Sequence, residues 1–179
     1  MPKRRTQPTA LPDDDHLEDR LEILGESAVW YASTWRVENG VQYLRDNRAD
    51  TYWQSDCSRE TGLIQYITVH LGRPTPISRV SLFLDYSVDE TYTPEVITIQ
   101  AGHTIESMYD TRIKRLTLVK PQGWTHLELR GMHEQEPLIA TTLRLYILKN
   151  HMQGKDSHIR QMRVFGPQSI DQPLPVLRS

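Results

Sequence analysis

Between two strongly patterned apolar stretches the chain carries Asn150-His151-Met152-Gln153-Gly154-Lys155-Asp156-Ser157-His158-Ile159-Arg160. This segment offers two amides, two imidazoles, a carboxylate, an ammonium, a hydroxyl and a guanidinium, and Gly154 permits backbone geometry that other residues resist. Such a set both donates and accepts hydrogen bonds, which suits a peptide backbone or polar side chains. The plain alternative is a solvated loop, the usual fate of polar connections. Two more segments are richer than a turn needs: residues 45–56, which end in Thr51-Tyr52-Trp53-Gln54-Ser55-Asp56, and residues 85–94, which contain Asp85-Tyr86 and Tyr92-Thr93-Pro94. Hairpin loops usually take about two to five residues, so a longer polar connection asks for a reason other than closing the chain.

The same residues do not assemble into a reaction centre. His151 and His158 are seven apart with Asp156 between them, which is no established ligand pattern, and structural zinc would want cysteine company. Cys57 has no sequence signature around it, and no G-x-S-x-G elbow occurs. Asp89 and Glu90 are adjacent, so in an extended segment they point apart and read as solvated charges. No enzyme, no metal and no cofactor is expected. Trp30 and Trp53 read as core or edge-of-core packing and Trp124 as structural, whereas Tyr86 and Tyr92 fit packing and ligand contact equally well.

The elements that must hold these segments are strands. From residue 63 the apolar period is two: Ile67, Val69 and Leu71 run up to a break at Gly72-Arg73-Pro74, and Val80, Leu82 and Leu84 run up to Asp85. Ile97, Ile99 and Ala101 follow, then Leu116 and Leu118, Leu127 and Leu129, Leu143, Leu145 and Ile147, and finally Met162 and Val164. Seven short strands bounded by Gly, Pro, Asn or Asp, with no helix-length crossover between them, give an all-β sandwich. Ahead of it, Leu17, Leu21 and Leu24 predict a short helix over residues 16–24 ended by Gly25, and residues 39–48 give a second short helical stretch.

The chain of 179 residues suits one core, with a disordered arm at residues 1–15, the sandwich at 16–167 and an extended tail at 168–179. A net charge of -2 with mixed signs excludes a phosphate-tracking nucleic-acid binder. No apolar run approaches the roughly 20 residues of a membrane span, and no secretory h-region precedes the fold. One cysteine permits no internal disulfide, so nucleus and cytoplasm are the expected address.

From about Leu21 to Gly166 the sequence closely resembles the Doc-domain subunits of the anaphase-promoting complex, the large ubiquitin ligase of the cell cycle. The resemblance is carried by Ala28-Val29-Trp30, Leu44-Arg45-Asp46, Thr51-Tyr52-Trp53-Gln54-Ser55-Asp56, Asp85-Tyr86 with Asp89-Glu90 and Tyr92-Thr93-Pro94, and Gly123-Trp124. It continues through Asn150-His151 with Gln153-Gly154, Asp156, His158 and Arg160-Gln161.

The resemblance implies a jelly-roll sandwich of the galactose-binding and discoidin type, without catalysis. It implies a surface that, with a β-propeller coactivator, holds the destruction-box degron of substrates and makes ubiquitination processive. Carried over, the degron contacts are Asn150, His151, Gln153, Gly154, Asp156 and His158, with Thr91 where the family commonly has serine; Gln54, Ser55 and Asp56 line or brace the same edge. Here Cys57-Ser58-Arg59-Glu60-Thr61-Gly62 replaces the family's frequent Gly-Ser-Gln-Pro-His, which leaves that loop's shape open. Family members commonly finish in Ile-Arg and dock on tetratricopeptide-repeat subunits; this sequence reads Leu177-Arg178-Ser179 at that point, so the subunits are expected partners and the tail contact is unassigned. The alternative of another class is a carbohydrate-binding module, which the fold also supports; it would want an aromatic platform and usually secretion.

Overall fold

The structure is a computed structural model that describes residues 9–12, 20–23, 28–57, 64–104, 107–108, 115–129 and 138–168. Its strands are β1 (Arg20–Glu22), β2 (Val29–Ala32), β3 (Trp53–Gln54), β4 (Gln65–Ile77), β5 (Arg79–Asp85), β6 (Pro94–Gly102), β7 (Arg115–Thr117), β8 (Gln122–Glu128), β9 (Leu138–Asn150), β10 (His158–Ile159) and β11 (Gln161–Gln168). One helical turn, α1 (Tyr86–Asp89), and the 3-10 turns Val41–Leu44, Glu90–Tyr92 and His151–Gln153 complete the described regular elements. A four-stranded sheet in the order β1-β11-β5-β8 packs against a five-stranded sheet in the order β2-β4-β9-β6-β7, and β3 pairs with β10 as a short ribbon. Every strand pairing among the described residues is antiparallel.

Strand alternation explains the core. Ile67, Val69 and Leu71 of β4 and Leu143, Leu145 and Ile147 of β9 share one cluster with Val80, Leu82 and Leu84 of β5 and Met162 and Val164 of β11. Successive side chains in a strand point to opposite faces, so one face of each sheet seals the interior. The seven apolar runs all fall on strands, except that Leu118 and Leu129 lie one residue beyond β7 and β8.

Three local expectations are corrected. The stretch at 16–24 is not helical where it is described: Arg20–Glu22 is a strand, paired with β11 through Arg20↔Gln168 and Glu22↔Phe165. Pairing with an open sheet edge overrides a three-leucine helical spacing; Leu17, Leu24 and Gly25 lie outside the described residues. Gly72-Arg73-Pro74 does not end its strand. Gly72 takes φ 75 and the register shifts between His70 and Thr75, so β4 bulges and continues to Ile77. In the arm at 1–15, residues 9–12 lie against the fold: Ala49 N–H donates to the Thr9 carbonyl at 3.0 Å, Ala10 bridges Arg48, and Trp124 Nε1 donates to the Pro12 carbonyl at 3.1 Å. The second helical reading survives as the Val41–Leu44 turn, with Leu44 fully buried. The tail beyond Gln168 lies outside the described residues.

Candidate functional site

Strand ends of both sheets bring the chemistry-bearing segments together. β5 delivers residues 86–93, β9 delivers residues 150–157, and the β3–β10 ribbon, with Gln54 opposite His158 and Trp53 opposite Ile159, ties them to residues 33–40. Trp53 anchors that ribbon: it is wholly buried, and its Nε1 donates to the Thr34 carbonyl at 3.2 Å.

The connection after β9 is braced from inside. Asn150, 3% exposed, donates through Nδ2 to the Gly154 and Asp156 carbonyls at 3.1 and 2.9 Å, while its Oδ1 accepts from Ser157 Oγ at 2.8 Å. Ser55 closes the other side, exchanging Ser157 N–H to Ser55 Oγ at 2.8 Å for Ser55 N–H to the Ser157 carbonyl at 3.1 Å. His151 Nε2 accepts from the Lys120 N–H at 3.2 Å, which assigns the ring proton to Nδ1, and Nδ1 donates to the Thr93 carbonyl at 3.0 Å. Between these braces Met152 and Gln153 adopt left-handed φ of 49 and 60, costly for non-glycine residues, and both side chains are exposed.

A second brace joins the two loops. Asp89 is 6% exposed and receives both Arg160 Nε at 2.8 Å and Arg160 Nη2 at 2.8 Å, with His158 Nδ1 at 3.1 Å. Burial pushes the Asp89 carboxyl up, but hydrogen bonds from His158 and Arg160 and the guanidinium charge outweigh it and hold the pKa below the usual aspartate value. The adjacent carboxylates are therefore not both solvated charges: α1 turns Asp89 inward and leaves Glu90 exposed. The His158 ring lies between Tyr52 and Tyr92, with centroids 4.1 and 4.2 Å away and near-parallel planes. Tyr92 thus packs and remains 40% exposed, while Tyr86 packs against His151.

All ten residues singled out in the sequence meet at this end, in different roles. Asn150, His151, Ser55 and His158 are buried and act as braces. Gln153 is exposed; Gly154, Asp156, Thr91, Gln54 and Asp56 are half-buried. Asp156 accepts from the Cys57 N–H at 2.9 Å and from Arg36 Nη2 at 3.1 Å, with Gln54 Nε2 at 3.5 Å. Arg36 also stands 3.7 Å from Asp56. Sequence reading missed Arg36, which lies between exposed Trp35 and Val37 at the lip of an open cleft of about 500 Å³ lined also by Glu38, Asn39 and Gln54. Residues 33–40 have no periodic pattern, so only their partners, Asp56 and Asp156, reveal them. Burial pushes the Cys57 thiol up, with nearby Asp156 adding to it, which keeps it protonated rather than nucleophilic. Among the described residues no group of three His, Cys, Asp or Glu could hold a metal ion.

A two-sheet antiparallel sandwich whose polar loops gather at one end is the jelly roll of galactose-binding and discoidin-type domains. The chain is similar to the family 32 CBM of C. perfringens NanJ solved in complex with galactose (TM-score 0.61, 12% identity, covering 82% of this chain and 98% of that one). It is equally similar to an F5/8 type C domain from Bacteroides fragilis (TM-score 0.62, 12% identity, 84% and 99%). Within that class the sequence is more specific: the family model described as "Anaphase-promoting complex, subunit 10" matches residues 2–176, and the chain belongs to that family. Anaphase-promoting complex subunit 10 of Homo sapiens is 32% identical over 91% of this chain and 84% of its own length. The Dictyostelium discoideum protein of that name is 34% identical over 86% and 79%, and the Schizosaccharomyces pombe one 32% over 84% and 76%.

Proposed function

We propose that this chain is the non-catalytic substrate-recognition subunit of an anaphase-promoting complex, working in nucleus and cytoplasm. Its loop end forms one half of a destruction-box receptor whose other half is the β-propeller coactivator. The observation that carries the reading is the 150–157 loop itself. Buried Asn150, Ser157 and Ser55 fix a backbone in which consecutive left-handed residues push Met152 and Gln153 outward, next to exposed Tyr92 and half-buried Thr91. A loop held in a costly conformation by its interior is preorganised for a ligand. A shallow polar edge suffices, because two adjacent surfaces gripping one peptide gain through effective concentration. Docking on tetratricopeptide-repeat subunits belongs to the same reading and awaits its own test.

The carbohydrate alternative rests on the fold alone, since the carbohydrate-binding neighbours share 10–15% identity whereas the complex subunits share 30–34%. The test is reconstitution of the ligase with Gln153→Ala and Met152→Ala together, both exposed, and a readout of ubiquitin-chain length on a destruction-box substrate. Shorter chains with normal assembly support the reading; unchanged chains overturn it. Substituting Asn150 or His158 instead would confuse contact with collapse of the loop.

A further inference from the structure

The five-stranded sheet carries an unusual outer face. Because Ile67, Val69, Leu143 and Leu145 face the core, Tyr66, Thr68, His70, Thr142, Arg144 and Tyr146 face away from it. At its centre Arg144, only 9% exposed, donates through Nε to Thr68 Oγ1 at 2.8 Å and through Nη1 to Tyr146 Oη at 3.3 Å, and Tyr31, opposite Thr68 in the register, stands on the same face. Its guanidinium lies 4.3 Å from the centroid of Tyr66, whose ring meets Tyr146 edge-on at 5.8 Å.

The chemistry has a direction. A guanidinium has donors and no acceptor, so it occupies a lone pair on the Tyr146 hydroxyl and turns that O–H toward another partner. A phenol donor polarised by a cation, with the half-exposed Tyr31 hydroxyl on the same face, suits a carboxylate. Charge agrees: β2, β4, β6, β7 and β9 contain a single carboxylate, Glu95, held by Lys149 at 2.8 Å, against Arg73, Arg115, Arg144 and Lys149. That bias stands out in a chain of net charge -2. Tyrosine and arginine are also the residues enriched where binding energy concentrates, and exposed Val29 and Tyr31 on edge strand β2 extend the patch.

We propose that this face, centred on Arg144 with Tyr31, Tyr66 and Tyr146, docks an acidic segment of a neighbouring subunit of the complex. The inference rests on family membership and is independent of the degron reading. The experiment is incorporation of the full-length chain into the complex assembled without it. Arg115→Glu reverses an exposed charge on the face, and Tyr31→Phe with Tyr146→Phe removes the two hydroxyls while keeping the rings. Each is expected to weaken incorporation, about tenfold for Arg115→Glu with an unchanged unfolding midpoint. The tyrosine variant takes the acceptor from Arg144 Nη1, so its incorporation is read on protein shown to be folded at the assay temperature. A photocrosslinker at Val29 should label an acid-rich segment of another subunit. Gln153→Ala should incorporate normally, which separates this surface from the degron edge. Unchanged incorporation of both face variants, or crosslinking to a second copy of the chain or to a segment without acidic residues, would overturn the proposal.

Discussion

The alpha carbon of Gly154 faces Thr91 so closely that a Cβ on it would stand 1.7 Å from the Thr91 carbonyl oxygen. The loop after β9 and the turn before β6 therefore meet across a gap that only hydrogen fills. Gly154 has φ -58, which any residue adopts, so the requirement is one of space and not of backbone conformation. This contact couples the two polar segments that the sequence marks out separately.

Gly154→Ala should separate them. The obstructing atom is backbone, so relief requires one loop to move, at a cost of about 1–3 kcal/mol for overpacking. Urea unfolding should show that loss, and destruction-box substrates should receive shorter chains. Wild-type values in both assays would show that the close approach does not matter.

Asn150 and Gln153 are three positions apart and should behave oppositely. Asn150→Ala leaves two carbonyls and the buried Ser157 hydroxyl without their partner, a cost of about 1–3 kcal/mol. Gln153→Ala removes an exposed side chain and should stay within about 0.5 kcal/mol of wild type, while shortening ubiquitin chains. Equal stability losses in thermal unfolding would sink this division of labour.

Strands with one sealed face were legible because alternation leaves a direct trace, as in Val80, Leu82 and Leu84. The ribbon of β3 and β10 was not, since two-residue strands carry no period. β2 escaped for another reason: its outward positions hold Val29 and Tyr31, so apolar residues stand on both faces. The polar segments were visible as composition, and the resemblance named ten candidate residues, all of which lie at one end of the sandwich. Composition could not say which way each side chain points. Asn150 and His158 proved to be braces, and Asp89, read as solvated, became the buried anion at the joint because His158 on β10 and Arg160 just after it arrive from about 70 residues away in sequence.

That joint sets a further expectation. Asp89→Ala would leave Arg160 buried and lacking its carboxylate, which typically costs about 3–5 kcal/mol. Adding Arg160→Met removes the stranded charge, so the double variant should be more stable than the sum of the single losses implies. Calorimetric unfolding of the four proteins measures that coupling; simple additivity would show that the pair does not act as a unit.

The Asp89 carboxyl also fixes the sign of an acid effect. Its folded-state pKa lies below the usual aspartate value, so the folded state holds its proton less tightly than the unfolded chain. The stability this contributes is complete above the unfolded value, near pH 3.9, and is lost as pH falls from there through the folded pKa. Against Asp89→Asn, which cannot ionise, the wild-type advantage in urea midpoint should be flat from pH 7 to 5 and shrink at pH 4 and pH 3. Other carboxylates titrate in both proteins and cancel in the difference. An advantage that already shrinks between pH 7 and 5 would mean that burial dominates over the pairing with Arg160 and His158, and the joint would then be a strained site instead of a stabilising one.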